Sequence, residues 1–196
     1  DRFAFTGSYF GDSRYDLNTY VKNVLGGEEG ARRVNALDML ETARHLPVLL
    51  VHGEDDRTSP MRQSTMLEAA MKKAGFTVDL KREAGMGHEG PLVVKYIRTV
   101  VNRSAASFAP RRPSRVSYRS FRASDTSAYG VHFTKKNPSG ESFVDLEMRD
   151  NVVHVLAADG VTEITLERDA LGSTTGREET KLATASSSPP KITWRP

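Results

Sequence analysis

The sequence predicts an α/β domain with a parallel sheet over its first half and a small antiparallel β module over its second. Up to about residue 102, helix-period segments alternate with short apolar runs, as in strands joined by crossover helices. Within that stretch Pro47-Val48-Leu49-Leu50-Val51 is continuously apolar, as expected of a strand covered on both faces. From residue 116 the apolar period changes to two, the pattern of half-buried strands.

Taken in order, residues 3–6 have the composition of a strand. Asp16 to Leu25 and Glu28 to Ala43 read as helices separated by Gly26-Gly27. The apolar run at 47–51 reads as a strand covered by helices on both faces. A helix is expected from about Pro60, since proline suits a first helical turn. Leu67, Ala70, Met71 and Ala74 repeat at helical spacing, and Gly75 is placed to end that helix. Phe76 to Arg82 alternates Phe76, Val78 and Leu80 with Thr77, Asp79 and Lys81, so it reads as a strand near a sheet edge. A last helix over 91–102 would gather Leu92, Val93, Tyr96, Ile97, Val100 and Val101 on one face.

Small residues, prolines and arginines make 103–115 a linker. Val116 and Tyr118, Val144 to Met148, Val153 and Val155, and Ile164 and Leu166 then mark alternating strands, about five for a module over 116–171. Asn137-Pro138-Ser139-Gly140, Asp150-Asn151 and Asp159-Gly160 supply its turns. From 172 to 196 the chain is rich in Ser, Thr and Pro and reads as an extended or partly disordered tail, with Ile192 and Trp194 as possible anchors.

Composition narrows the function classes. Of 196 residues, 38% are hydrophobic and 27% charged, ordinary for a chain that buries a core. No apolar run approaches the roughly 18 residues of a membrane span. Without cysteine there are no disulfides, thiol nucleophiles or thiolate metal sites. A net charge of +3 is mild, so nucleic acid is not an expected partner. Arg111, Arg112, Arg115, Arg119 and Arg122, with Tyr118 and Phe121 between them, read as a linker entering an exposed strand rather than a nucleic-acid patch. His132 and His154 have no third ligand nearby, so neither metal nor cofactor is expected. The chain opens at Asp1, with nothing like a signal peptide, and is read as starting inside a longer gene product.

Two loops carry the chemistry. His52-Gly53-Glu54-Asp55-Asp56-Arg57 follows the buried strand, where open parallel sheets present their functional groups. Gly85-Met86-Gly87-His88-Glu89-Gly90 follows the next strand and precedes a helix. Strand, acid, helix, strand, histidine, helix is the second half of a Ser…Asp…His order. His52, at the end of a buried strand, reads as structural.

These residues, with Pro60 and Gln63-Ser64, resemble the aspartate and histidine loops of prolyl-oligopeptidase-type serine peptidases over about residues 1–102. The resemblance implies the C-terminal half of an α/β-hydrolase fold. It makes Asp56, fifth counting from His52, the triad acid, with Asp55 one loop slip away as competitor, and His88 the general base. Arg57-Thr58-Ser59-Pro60 departs modestly from the family's turn. Arg57 is a candidate for substrate binding, against a solvated arginine. The implied reaction is acyl transfer on a peptide, the serine lying upstream in a Gly-x-Ser-x-Gly elbow that this chain lacks. On that reading the chain is incomplete without an N-terminal part of the same precursor, which in this family often follows a β-propeller.

Other readings stay open. The same residues serve a carboxylesterase or amidase equally well, or the chain is a non-catalytic binding or structural piece built around the β module. Phe10-Gly11-Asp12-Ser13 resembles the nucleophile block of GDSL-type lipases, which would make Ser13 a nucleophile, but the supporting Asp-x-x-His pair is missing.

Overall fold

The computed structural model describes residues 3–150, 152–172, 179–182 and 190–195. They fall into two compact units that divide between Ala109 and Pro110.

The first unit is built on three parallel strands. β1 (Thr6–Tyr9) leads through a 3₁₀ turn (Tyr15–Leu17), α1 (Thr19–Val24), α2 (Gly27–Arg32) and a kinked 3₁₀ segment (Leu37–Ala43) to β2 (Val48–Gly53). Next come α3 (Arg62–Lys73), β3 (Val78–Glu83) and α4 (Gly90–Ala106). The strands lie in the order β1-β2-β3, so β2 is central and each outer strand pairs on one side among the described residues. Every residue of β2 is buried. Val48 and Leu50 pack with Met71 and Phe76 on the α3 face, while Leu49 and Val51 pack with Leu92 on the α4 face. Alternate side chains of one apolar run thus serve two cores.

The two helices expected over 16–43 are broken, and asparagines break them. The Asn18 side chain accepts from the Val21 amide and starts α1 afresh after the 3₁₀ turn. Gly26 and Gly27, at φ +84° and +87°, turn the chain into α2 through a region closed to most side chains. Asn35, fully buried, accepts from the Tyr15 amide and donates to the Asp16 and Asp38 carboxylates. Those bonds compete with helical continuation and end α2 early. The buried face of α4 is also narrower than its pattern. Leu92, Tyr96 and Val100 meet the sheet, whereas Ile97 and Val101 are exposed.

Among its described residues the second unit holds two four-stranded sheets; six of the strands begin within or at the edge of 116–171, where about five were expected, and two come from the segment beyond it. β4 (Arg115–Ser120), β5 (Ser127–Ala128), β6 (Val131–Lys135), β7 (Ser142–Arg149), β8 (Val152–Asp159) and β9 (Val161–Glu167) pair antiparallel. The segment read as a tail adds β10 (Glu179–Leu182), parallel to β8, and β11 (Lys191–Arg195), parallel to β9. Residues 173–178, 183–189 and 196 of that segment lie outside the described residues. Val116, Val144, Leu146 and Val153 of one sheet share a core with Val131, Phe133, Ile164 and Leu166 of the other. Among the arginines near the start of this unit, Arg115 forks onto Asp145 and Arg112 pairs with Asp169. Arg119 pairs with Glu141 and lies over the Phe143 ring.

Candidate active site

The carboxyl ends of β2 and β3 lie side by side, and their loops are tied together by backbone bonds. The Glu54 amide donates to the Glu83 carbonyl, and the Asp55 amide donates to the Met86 carbonyl, both at 2.9 Å. Gly53 makes that approach possible, because a Cβ there would stand 2.2 Å from the Met86 oxygen. Fastened this way, the two loops bring Asp56 and His88 together.

Asp56 Oδ2 lies 2.9 Å from His88 Nδ1. Oδ1 of the same carboxylate accepts from the Thr58 and Ser59 amides, each at 2.8 Å. Burial pushes the Asp56 pKa up, but the Ser59 and Thr58 amides and the His88 partner outweigh it, holding it below the ordinary aspartate range. An ionised carboxylate only accepts, so Nδ1 of His88 carries the proton and Nε2 is left as the acceptor. The carboxylate has no exposed surface, whereas the imidazole is 44% exposed. A buried, fixed anion behind a half-open imidazole suits the ring to take a proton at Nε2 and to be steadied while it holds the charge.

Asp55 is exposed. Arg57 is exposed on the wall of a cavity of about 410 Å³ that it shares with Asp12, Asn18, Thr58 and Arg62. Ser13 is buried, its hydroxyl donating to the Gln63 carbonyl, so it is a structural bond and not an exposed nucleophile. Among the described residues no three metal-ligating side chains converge, and no helix is long and apolar enough to cross a membrane.

One neighbour of the pair, Phe10, escapes the sequence reading, and His52 sits behind the acid loop. Phe10, at φ +54°, packs against the His88 ring, the two rings tilted by 36° with centroids 4.5 Å apart. Its position at the carboxyl end of β1 was the available signal. His52 is fully buried, with Nε2 2.6 Å from the Ser59 carbonyl and Nδ1 2.7 Å from the Ser64 hydroxyl.

The model of the prolyl oligopeptidase family matches residues 6–109, more than half of the chain and nearly all of its first unit. The chain belongs to the prolyl oligopeptidase family. Within that family assignment, the first unit is part of an α/β-hydrolase fold, with β2 and β3 presenting the two loops. Among solved structures, the chain is similar to Pyrococcus horikoshii acylaminoacyl peptidase, at 23% identity and a TM-score of 0.42, over 54% of this chain and 19% of that one. An acylaminoacyl peptidase in complex with Z-Gly-Gly-Phe-chloromethyl ketone matches at 20% identity and 0.46, over 56% and 21%. Thermogutta terrifontis esterase 2, phosphoramylated by tabun, matches at 20% identity and 0.41, over 51% and 41%. The chain thus spans about a fifth of the length of the two peptidases and two fifths of the esterase. No curated protein matches it.

Proposed function

We propose that this chain supplies the acid and base of a serine peptidase, Asp56 and His88, to a nucleophilic serine carried by an N-terminal part of the same precursor. The observation that carries the reading is the 2.9 Å contact between a fully buried carboxylate and a half-exposed imidazole. The serine hydroxyl gives its proton to His88 Nε2 as it attacks the substrate carbonyl. The imidazolium returns that proton to the leaving amine, and Asp56 holds the ring in one tautomer throughout. Arg57, on the cavity wall beside the acid loop, binds the substrate backbone. β1, paired on one side only among the described residues, is where the serine-bearing segment adds to the sheet.

Labelling of the complete protein with a fluorophosphonate tests the assignment. Wild-type protein is expected to label through a single upstream serine. His88→Ala should cut the labelling rate by about 10³ or more, the scale of losing a triad base. Equal labelling of the two forms would remove His88 from the reaction. Peptide bonds are the favoured substrate over esters, and parallel kcat/KM measurements on aminoacyl anilides and short acyl esters decide between them.

A further inference from the structure

We infer that His52 is a positioning residue for the Asp56–His88 pair, acting through Ser59. The inference rests on the acid–base reading above for its kinetic consequence, but its structural consequence does not depend on that reading.

His52, next to last in β2, has a side chain of zero exposure, and both ring nitrogens are engaged. The Ser59 carbonyl can only accept, so Nε2 carries a proton and donates it at 2.6 Å. Nδ1 then accepts from the Ser64 hydroxyl on α3 at 2.7 Å. One neutral ring satisfies both partners. Ser59 is the junction of the loop. Its carbonyl is held by His52, its amide donates to Asp56 Oδ1 at 2.8 Å, and its hydroxyl donates to Asp12. A continuous path therefore runs from Ser64 on α3 through His52, Ser59 and Asp56 to His88.

The direct route is too long to matter in the same way. His52 Nε2 lies 3.5 Å from Asp56 Oδ2, and its proton is already committed to the Ser59 carbonyl. An aliphatic residue would fill the space at the end of β2. It would leave the Ser59 carbonyl and the Ser64 hydroxyl without those partners in a buried site, which the loop would relieve by moving. That movement carries the Ser59 amide away from Asp56 and loosens the carboxylate that orients His88. Phe10 adds a second constraint, edge-on to His52 at 6.3 Å and packed at a tilt against His88.

The test uses the complete protein labelled with ¹⁵N-histidine and compares wild type with His52→Leu, His52→Gln and His52→Asn. In wild type the His88 ring should appear as the Nδ1–H tautomer. His52→Leu should shift it toward a tautomer mixture and lower kcat about 10- to 100-fold, with KM within about twofold. That loss is smaller than the roughly 10⁴ of a wrong tautomer, because the carboxylate remains. His52→Gln keeps a donor at the reach of Nε2 and should restore kcat to within about fivefold, whereas the shorter His52→Asn should not. A folded His52→Leu protein with wild-type ring signals and kcat overturns the proposal. If His52→Leu does not fold, equal ring signals and rates in the Gln and Asn variants overturn it instead. Ring signals that shift as expected in a protein that turns over no acyl substrate would keep the positioning role and discard the hydrolase reading.

Discussion

Gly53 and Met86 are in backbone contact, so close that a Cβ on Gly53 would stand 2.2 Å from the Met86 carbonyl oxygen. The last residue of β2 and the loop that carries His88 share a space with no room for a side chain. The Asp55 amide seals the contact by donating to the same Met86 carbonyl.

Gly53→Ala should therefore be costly although it adds one methyl group. The obstacle is backbone, which cannot rotate aside, so the loops must part. The loss should lie at the upper end of the roughly 1–3 kcal/mol typical of overpacking. His88 should also lose its contact with Asp56, so fluorophosphonate labelling should fall by more than the folded fraction does. Labelling that tracks the folded fraction alone would separate the two loops.

Asp56 makes acid stability sensitive to one carboxyl. Its folded pKa is lowered despite burial, because the Ser59 and Thr58 amides and His88 favour the anion. A lowered folded pKa means a contribution that is fully present above the unfolded value, about 3.9. The contribution is lost as pH falls through the still lower folded value. Asp56→Asn cannot titrate there. Wild type should be the more stable at pH 6, and the two urea midpoints should converge as pH is lowered from 5 toward 2. Helical ellipticity follows the transition, since the α-helices among the described residues all belong to the first unit. Curves that stay parallel over that range would contradict the assignment.

The parts of this fold legible in the sequence are those in which periodicity is itself the structural cause. The apolar run at 48–51 became a strand buried on both faces, and Leu67 and Met71 at helical spacing became the inner stripe of α3. What stayed hidden depends on single polar groups finding distant partners. Nothing in the pattern around Asn35 announces bonds to Tyr15 and Asp16, about twenty positions away. Adjacent acids look alike until the loop closes. Two amides fold onto Asp56 and leave Asp55 in solvent. Strands β10 and β11 were obscured by low apolar content, because each adds to the edge of an existing sheet and takes its order from that partner.

Gln63 shows how a polar residue can hold a loop in place. Its Oε1 accepts from the Ser13 and Arg14 amides at 3.1 and 3.0 Å, and its Nε2 donates to the Arg14 carbonyl at 2.9 Å. Gln63→Leu keeps the volume and strands all three groups, two of them amides that the loop cannot turn elsewhere. At the lower end of about 1–3 kcal/mol for each unsatisfied group, since the Arg14 contacts are only partly buried, the first unit should lose roughly 3 kcal/mol. Hydrogen exchange should show the Ser13 and Arg14 amides released first. Unchanged protection at both would refute the role of the amide side chain.

Strand β11 is held by burial more than by charge, and the sole tryptophan gives the means to test it. Trp194 pairs with Leu166 across β9 and packs on the core of the second unit, while its indole Nε1 is buried without a hydrogen-bond partner among the described residues. Next to it Arg195 reaches Glu167, but those side chains are 46% and 40% exposed. Water and salt weaken such a pair to about 1 kcal/mol or less. Arg195→Ala should therefore cost under about 1 kcal/mol. Trp194→Ala removes an aromatic ring from the core edge and should cost about 3 kcal/mol. Trp194→Phe is the sharpest case. It gives up some apolar area but also deletes an unpartnered buried donor, and the two effects oppose each other. Its stability should stay within about 1 kcal/mol of wild type. Urea unfolding followed by tryptophan emission in wild type and Arg195→Ala, and by near-ultraviolet dichroism in all four proteins, measures the series. A Trp194→Phe loss as large as that of Trp194→Ala would mean that the indole N–H has a partner after all.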